Sequence, residues 1–265
     1  VGEGAAMAEW WPEDRSGPAL RAWLRARLTA PVFAAPMFLV SGPELVGAAS
    51  GAGVLSAFPA ANARSSEELD AWLAALGAGP GPETGAAPWG VNLILHRSNA
   101  RREADLAAVV RARAPLVVAS VGAPDPVVAP VREAGGVVFA DVATLRHARK
   151  AVAAGVDGLV LLTAGAGGNT GWLNPFAFVA EVRRFFDGPI AVAGGIATGR
   201  ALAALEVLGA DLGYLGTPFI ATEESRAAEG HKRAVLETDA DGVVLTDAVT
   251  GIPANFQREN LRELG

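Results

Sequence analysis

The strongest constraint on the fold is a regular alternation of short apolar runs with longer segments rich in alanine, leucine and charged residues. The apolar runs lie at 31–36, 53–58, 90–95, 115–120, 136–140, 158–162, 189–193 and 211–215. Runs that are apolar throughout are typical of parallel strands whose faces are both covered. The segments between them have the composition of helices. Eight such strand–helix units predict one (β/α)8 TIM barrel of the α/β class.

A doubly wound open sheet is the alternative arrangement of alternating strands and helices. It requires a glycine-rich turn after the first strand and an acidic residue after the second. The first run continues as APMFLVSGPE and the second ends as SAFPAAN, so neither signal is present. The segment LRAWLRARL before the first strand has helical spacing of its apolar residues. We therefore predict an N-terminal tail and helix over 1–30, followed over 31–265 by a barrel with a short C-terminal extension.

Composition and charge disfavour several classes of partner. The chain has 22 lysine and arginine residues against 28 aspartate and glutamate residues, a formal net charge of −6. This balance does not supply the basic surface that binds nucleic acid or anionic membranes. The absence of cysteine excludes disulfides, thiolate metal sites and a cysteine nucleophile. No apolar stretch suits a membrane span, and the first residues lack a secretory pattern. We expect a cytoplasmic protein with a small-molecule substrate; the sequence leaves oligomerisation open.

Two glycine-bearing turns follow the last two predicted strands. GGIATG occupies 194–199 and GTPF occupies 216–219. In TIM barrels the loops after strands seven and eight often bind a phosphate. Small residues there allow backbone N–H groups to approach an anion. Ordinary glycine turns are the alternative interpretation, but the position of the pair favours a phosphate from a cofactor or substrate.

The loop after the sixth predicted strand, TAGAGGNTGWLNPF at 163–176, is long and rich in glycine. Long loops in compact domains tend to be functional, and this loop follows a strand, where barrel active sites lie. Asn169 and Trp172 are candidates for contacts with a substrate. A flexible surface loop is the alternative, which the low polar content of the segment disfavours.

Six short motifs, taken in chain order, resemble those of one known family. They are APM at 35–37, WGVNLIL at 89–95, AGAGGNTG at 164–171, AGGIATG at 193–199, LGTPFIATEES at 215–225 and TGIPAN at 250–255. With this set the chain resembles the nitronate monooxygenases, formerly called 2-nitropropane dioxygenases, and their enoyl-reductase relatives, which are FMN-dependent TIM barrels. The last two glycine-bearing motifs of the barrel are the most specific part of the resemblance.

The resemblance implies FMN as the cofactor of the barrel and no metal, and it assigns residues to the cofactor. These are Ala35, Pro36 and Met37 along the flavin ring, Asn92 as a hydrogen-bonding group, Gly167 and Gly168 near the cofactor, and Ala193, Gly194, Gly195, Gly216 and Thr217 at the phosphate. The last group coincides with the anion site that the two turns predict without the family.

One position departs from the family pattern. The monooxygenases have AGGH in the loop after strand six, where the histidine removes a proton next to the nitro group, whereas this chain has Asn169. Asparagine forms hydrogen bonds but does not accept a proton at neutral pH. His96 is the alternative acid or base, because it follows the third strand in phase with Asn92. A histidine at the rim that only bonds a neighbour is the simpler interpretation of His96.

The leading hypothesis is an FMN-dependent oxidoreductase that resembles nitronate monooxygenase and oxidises a small carbon acid with oxygen, with Asn169 and His96 as catalytic candidates. An already ionised nitronate would need no base. One alternative is an NAD(P)H-dependent flavin reductase of the enoyl-reductase type. Another is a flavin-binding or phosphate-binding barrel without oxidase activity.

Overall fold

Parallel strands surrounded by helices form a closed barrel in the computed structural model, which describes residues 9–249, 251, 253–259 and 261. In chain order the elements are α1 (Gly17–Arg27), β1 (Val32–Ala34), α2 (Pro43–Gly51), β2 (Leu55–Pro59), α3 (Ser66–Gly77), β3 (Trp89–Ile94), α4 (Arg102–Arg111), β4 (Leu116–Ser120), α5 (Asp125–Glu133), β5 (Val137–Val142), α6 (Leu145–Ala153), β6 (Gly158–Leu162), β7 (Gly168–Asn169), α7 (Pro175–Arg183), β8 (Ile190–Ala193), α8 (Gly199–Leu208), β9 (Leu212–Leu215), α9 (Thr217–Ile220), α10 (Glu229–Glu237), β10 (Val243–Thr246) and β11 (Ala254–Gln257).

The barrel strands β1 to β6, β8 and β9 follow one another around the barrel in chain order, whereas the two-residue β7 and the pair β10 and β11 lie outside it. Closure comes from parallel pairing of the first and last strands, with Val32 opposite Gly213 and Ala34 opposite Leu215. Each of the eight apolar runs supplies one of the barrel strands within the described residues. The prediction of a TIM barrel is therefore confirmed.

Side-chain caps define where several of the outer helices begin. Ser65, Thr144, Asn174 and Thr198 each accept a hydrogen bond from a backbone amide in the first turn of the helix that follows. Such caps satisfy amide groups that have no partner inside the helix. They fix the turn between each loop and its helix, including the turn from the end of β8 into α8.

The barrel has two apolar cores, one inside the strands and one between strands and helices. Phe33, Phe139 and Leu212 belong to the inner core, together with Leu20 and Leu24 of α1. The N-terminal helix thus packs across one end of the barrel and leaves the other end open. The division into segments 1–30 and 31–265 stays a prediction, and residues 1–8 lie outside the described ones.

The chain continues beyond the barrel as two helices and a hairpin. The strands β10 and β11 pair antiparallel, and Gly167 forms a bridge with Asn255 of β11. The extension therefore returns to the loop after β6. None of the helices in the described part of the chain combines the length and apolar composition needed to cross a membrane.

Asp211 joins the closed end of the barrel to two helices. Its carboxylate accepts hydrogen bonds from Arg21 of α1 at 2.8 Å and from Arg183 of α7, and the amide of Ile190 donates to it at 2.9 Å. The aspartate side chain is only 1% exposed. Burial lowers the pKa of Arg183, and the nearby Asp211 carboxylate acts against this shift. This carboxylate balances positive charge that would otherwise be left in a largely buried place.

Replacing Asp211 with asparagine should lower the free energy of unfolding by about 3 kcal/mol, because it leaves the arginines without a counter-charge. Urea denaturation measures the change. Asp70→Asn is the matched control, since Asp70 pairs with Arg111 in a solvent-exposed ion pair and should cost less than about 1 kcal/mol. Equal losses in the two variants would contradict the role assigned to Asp211.

Candidate functional site

Polar side chains line the open end of the barrel, where the strands finish. Asn92, Ser120, Asp141 and Tyr214 lie on β3, β4, β5 and β9. Ser120, Asp141 and Tyr214 each stand two positions after an inner-core residue, and alternate residues of a strand face the same side. These groups therefore form a polar layer directly above the apolar interior.

Asn92 connects two of these strands. Its side-chain Nδ2 donates to the carbonyl oxygen of Val118 at 3.1 Å and to the Ser120 hydroxyl. The amide group is buried, yet its oxygen accepts no hydrogen bond from the described residues. This arrangement fixes the asparagine while leaving an acceptor for a ligand above the layer, which fits the predicted hydrogen bond to a cofactor.

Asp141 and Tyr214 face each other across this layer. Burial raises the pKa of Asp141 to about 6, and hydrogen bonding by the Ser120 hydroxyl and the Val121 amide acts against the rise. Asp141 is partly exposed, and its place two residues beyond Phe139 of the inner core directs this exposure toward the open end. Burial, and secondly the Asp141 carboxylate, raise the pKa of Tyr214 well above its ordinary value, so its hydroxyl stays protonated.

The turns after β8 and β9 lie next to each other, because β8 and β9 are neighbouring strands of the barrel. Gly194 and Gly195 have φ angles of +132° and +66°, which favour glycine. A Cβ atom on Gly194 would come within 2.5 Å of the Thr163 hydroxyl, whereas one on Gly195 would meet nothing within 4 Å. The amides of Gly195, Gly216 and Thr217 donate to no protein acceptor among the described residues. Open space beside free N–H groups fits a phosphate.

The loop after β1 is clamped against the mouth by Asn62. Its Nδ2 donates to the carbonyl oxygens of Met37 at 3.0 Å and Ser41 at 2.8 Å, and its Oδ1 accepts from the Leu39 amide at 2.9 Å. Leu39 has a φ of +61°, which a leucine adopts only when its surroundings impose it. The clamp leaves Phe38 and Leu39 with about two thirds of their surface exposed (65% and 67%).

The loop after β6 is held by the C-terminal extension. Asn255 Nδ2 donates to the carbonyl oxygen of Ala166 at 2.7 Å, and the Thr170 amide donates to that of Pro253 at 3.3 Å. Asn169 lies exposed between these contacts, beside Gly168. Thr250 and Ile252 of the TGIPAN motif lie outside the described residues.

His96 lies beyond the end of β3, exposed to solvent. Its Nδ1 is 2.7 Å from the Ser98 hydroxyl, and the Ser98 amide also approaches Nδ1 at 3.3 Å. This is the local contact that a histidine in a turn makes. Its catalytic role stays a prediction, as do the roles of the other predicted site residues.

Four residues of the site were not predicted from the sequence: Asp141, Ser120, Tyr214 and Asn62. Asp141 had a usable signal, because an acidic residue directly follows the apolar run at 136–140, at the end of the barrel that carries active sites. Asn62 had no comparable signal, since its three hydrogen bonds depend on how two loops meet. Among the described residues no group of three or more histidine or acidic side chains is placed to hold a metal ion.

Comparisons with known proteins agree with this architecture. The family model for nitronate monooxygenase matches residues 22–264. A (3aS,4S,5R,7aS)-5-hydroxy-7a-methyl-1-oxo-octahydro-1H-indene-4-carboxyl-CoA dehydrogenase of Mycobacterium tuberculosis is 30% identical over 88% of this chain and 64% of its own length. A nitronate monooxygenase of Paraburkholderia phytofirmans is 34% identical over 52% of this chain and 40% of its own length. The chain thus spans less than two thirds of these relatives.

Two solved structures with the same barrel have sequences more than 25% identical to this chain. FabK from Thermotoga maritima superposes with a TM-score of 0.80 at 27% identity, over 92% of this chain and 77% of that one. A nitroalkane oxidase from Streptomyces ansochromogenes has a TM-score of 0.77 at 29% identity, over 88% and 78%.

Asn62→Ala should lower the free energy of unfolding by about 2 kcal/mol, because three hydrogen bonds of the loop after β1 are lost. The Leu39 amide should also exchange its hydrogen faster, which mass spectrometry of that peptide detects. Asn169→Ala is the control, since no hydrogen bond of its side chain is found among the described residues. Unchanged exchange at Leu39 in Asn62→Ala would show that the loop does not depend on the clamp.

Proposed function

Because the chain belongs to the nitronate monooxygenase family, we propose that it binds FMN at the open end of the barrel and oxidises a small carbon acid. The observation that carries the proposal is the pair of glycine turns after β8 and β9, whose free amides lie at neighbouring strand ends. A flavin phosphate is an anion of the size that such a pair accommodates.

The proposed phosphate site consists of Ala193, Gly194, Gly195, Gly216 and Thr217. The exposed Thr217 hydroxyl adds a donor to the backbone groups. The N-terminus of α8, which Thr198 caps, follows directly. Its positive end favours a negatively charged group nearby.

The proposed ring site spreads over the polar layer. Asn92 offers its free amide oxygen, and the backbone at 35–37 is held in place by Asn62 and Ser41. Gly167 and Gly168 leave open space, because a Cβ on either would meet nothing within 4 Å. A flat ligand can lie against such backbone without a side chain between them.

FMN held by these residues would supply the redox chemistry, which is the transfer of an electron pair from the substrate to oxygen. This chain's residues orient the substrate and exclude water. Phe38 and Trp172 are exposed apolar side chains on the loops after β1 and β6, and Phe176 is exposed in the first turn of α7. These three side chains are suited to surround a small organic substrate. Asn169 orients the substrate through hydrogen bonds and accepts no proton. A nitronate fits this site, because it enters already ionised.

A second candidate is dehydrogenation of a carbon acid activated by a thioester. It is favoured by the relative from M. tuberculosis, whose name states a carboxyl-CoA dehydrogenase and whose match covers 88% of this chain. Reduction of the flavin by NAD(P)H, as in enoyl reductases, is a third candidate function.

Anaerobic mixing of the protein with a nitronate, an acyl-CoA or NADPH separates the three candidate functions, because only a true electron donor bleaches the flavin. The proposal includes a cytoplasmic location and small-molecule partners.

Gly195→Asp should reduce bound FMN at least about tenfold, because the carboxylate occupies the open space of the turn and repels the phosphate. Flavin absorbance per purified protein measures the loss. Gly85→Asp is the matched control, since Gly85 also has a positive φ, +90°, and open space, but on the loop before β3. Full flavin content in Gly195→Asp would contradict the phosphate assignment.

Asn169→His should raise turnover of a neutral nitroalkane at least about tenfold, because it supplies a base where the family has one. Turnover of the corresponding nitronate, which needs no base, should change much less. Oxygen consumption per bound flavin measures both. A variant that binds FMN normally and gains nothing with the neutral substrate would show that position 169 does not limit the reaction.

A further inference from the structure

A carboxyl group stands in the floor of the proposed flavin site, and the chemistry proposed above gives it no role. Asp141 lies on β5, two positions above Phe139 of the inner core. Phe139 packs edge-on to Phe33 with ring centroids 6.1 Å apart, and Phe33 packs in the same way against Tyr214 at 4.9 Å. The carboxyl therefore stands on an aromatic base, with its remaining exposure toward the open end.

The surroundings of Asp141 connect it to the residue predicted to bond the flavin. Asn92 donates to the Ser120 hydroxyl, and this hydroxyl is also the hydrogen-bonding neighbour of the Asp141 carboxyl. The Val121 amide is the other neighbour, and Val121 has a φ of +53°, a strained angle for a β-branched residue. Three adjacent strands thus place Asn92, Ser120 and Asp141 in one connected layer.

We propose that Asp141 takes up a proton when the flavin binds, so that the affinity for FMN falls as the pH rises above neutrality. This inference rests on the proposed function, because it requires the flavin ring to cover the polar layer. A ring over that layer removes the water that still reaches the carboxyl. Loss of this water disfavours the charged form far more than the neutral form.

The direction of the effect follows from linkage. Without flavin, the raised pKa of about 6 leaves Asp141 mostly ionised at neutral pH. Further burial raises this pKa again, so the complex binds more protons than the free protein in the window above pH 6. Binding is undisturbed at lower pH, where the carboxyl is already neutral, and weakens by at most about tenfold per pH unit above it.

The groups that face Asp141 do not supply a compensating charge. Tyr214 on β9 stays neutral, and Ser120 and Asn92 are uncharged. His96 and Arg97 follow β3 but are exposed, with His96 bonded to Ser98. Within the described residues no cation contributes to the pKa shift of Asp141. A proton is therefore the charge available to neutralise the carboxylate under a bound ring.

Titration calorimetry of FMN into flavin-free protein tests the proposal. Runs at about pH 7.5 in Tris and in Hepes, which differ in ionisation enthalpy, count the protons taken up. Wild type should take up more protons than Asp141→Asn, and its Kd should rise about tenfold more than that of the variant between pH 6 and pH 8. Comparing the two removes the titration of the FMN phosphate itself. Riboflavin, which has no phosphate, should give the same difference.

Asp187→Asn is the matched control, because Asp187 is exposed between α7 and β8 at the opposite end of the barrel. This variant should give the same proton uptake and the same Kd curve as wild type. Asp141→Ser replaces the asparagine variant if that protein does not fold, and Asp141→Glu should keep the proton uptake. Equal proton uptake and parallel Kd curves in wild type and the uncharged variant would overturn the role of Asp141 while leaving FMN binding intact. Failure of wild type to bind FMN would overturn the proposed function and this inference together.

Discussion

The aromatic packing inside the barrel supports everything at its open end. Phe33 and Phe139 come from strands that are not neighbours and fill the interior directly below the polar layer, and Phe33 also packs edge-on against the ring of Tyr214, which belongs to that layer. Gly158 on β6 makes room for this packing, since a Cβ there would lie 2.5 Å from the Phe139 ring. Because interiors are close-packed, the rings fix the height and direction of the residues that follow them on the same strands. Asp141 owes its place to Phe139 in this way.

The rigid layer contrasts with the loops around it. Strand residues such as Asn92 are fixed by bonds to neighbouring strands, whereas the loops after β1 and β6 are held by a few hydrogen bonds, among them those of Asn62 and Asn255. Side chains that bind a cofactor bind it more tightly when the surrounding structure is rigid, because binding then costs little conformational entropy. Loops that admit a substrate need more freedom, and a few side-chain hydrogen bonds permit it.

The fold could be predicted because its signal is local and repeated. Each apolar run is continuous over its strand, and several helices begin at a residue that caps them. Counting the repeated strand–helix units was therefore enough to predict the barrel. The turns at 194–195 and 216–217 could likewise be predicted, since their glycine residues can be read directly from the sequence after the last two apolar runs. Asn62 was not found, because its importance depends on neighbours from other strands and loops, and Asp141 was not found although it directly follows an apolar run. A single acidic residue at a strand end looks the same in sequence whether it faces the interior or the solvent.

The closure of the barrel has a consequence for how the protein folds. Closure requires Val32 of β1 to pair with Gly213 of β9, and most of the chain lies between these two residues. All the other barrel pairings join barrel strands that follow one another in the chain. These pairings therefore close far shorter loops. Long loops cost more entropy before their contacts form, so we expect this seam, the pairing of β1 with β9, to be the last of the barrel pairings to form. The phosphate turn at Gly216 follows that seam directly, so the proposed cofactor site is completed only when folding is.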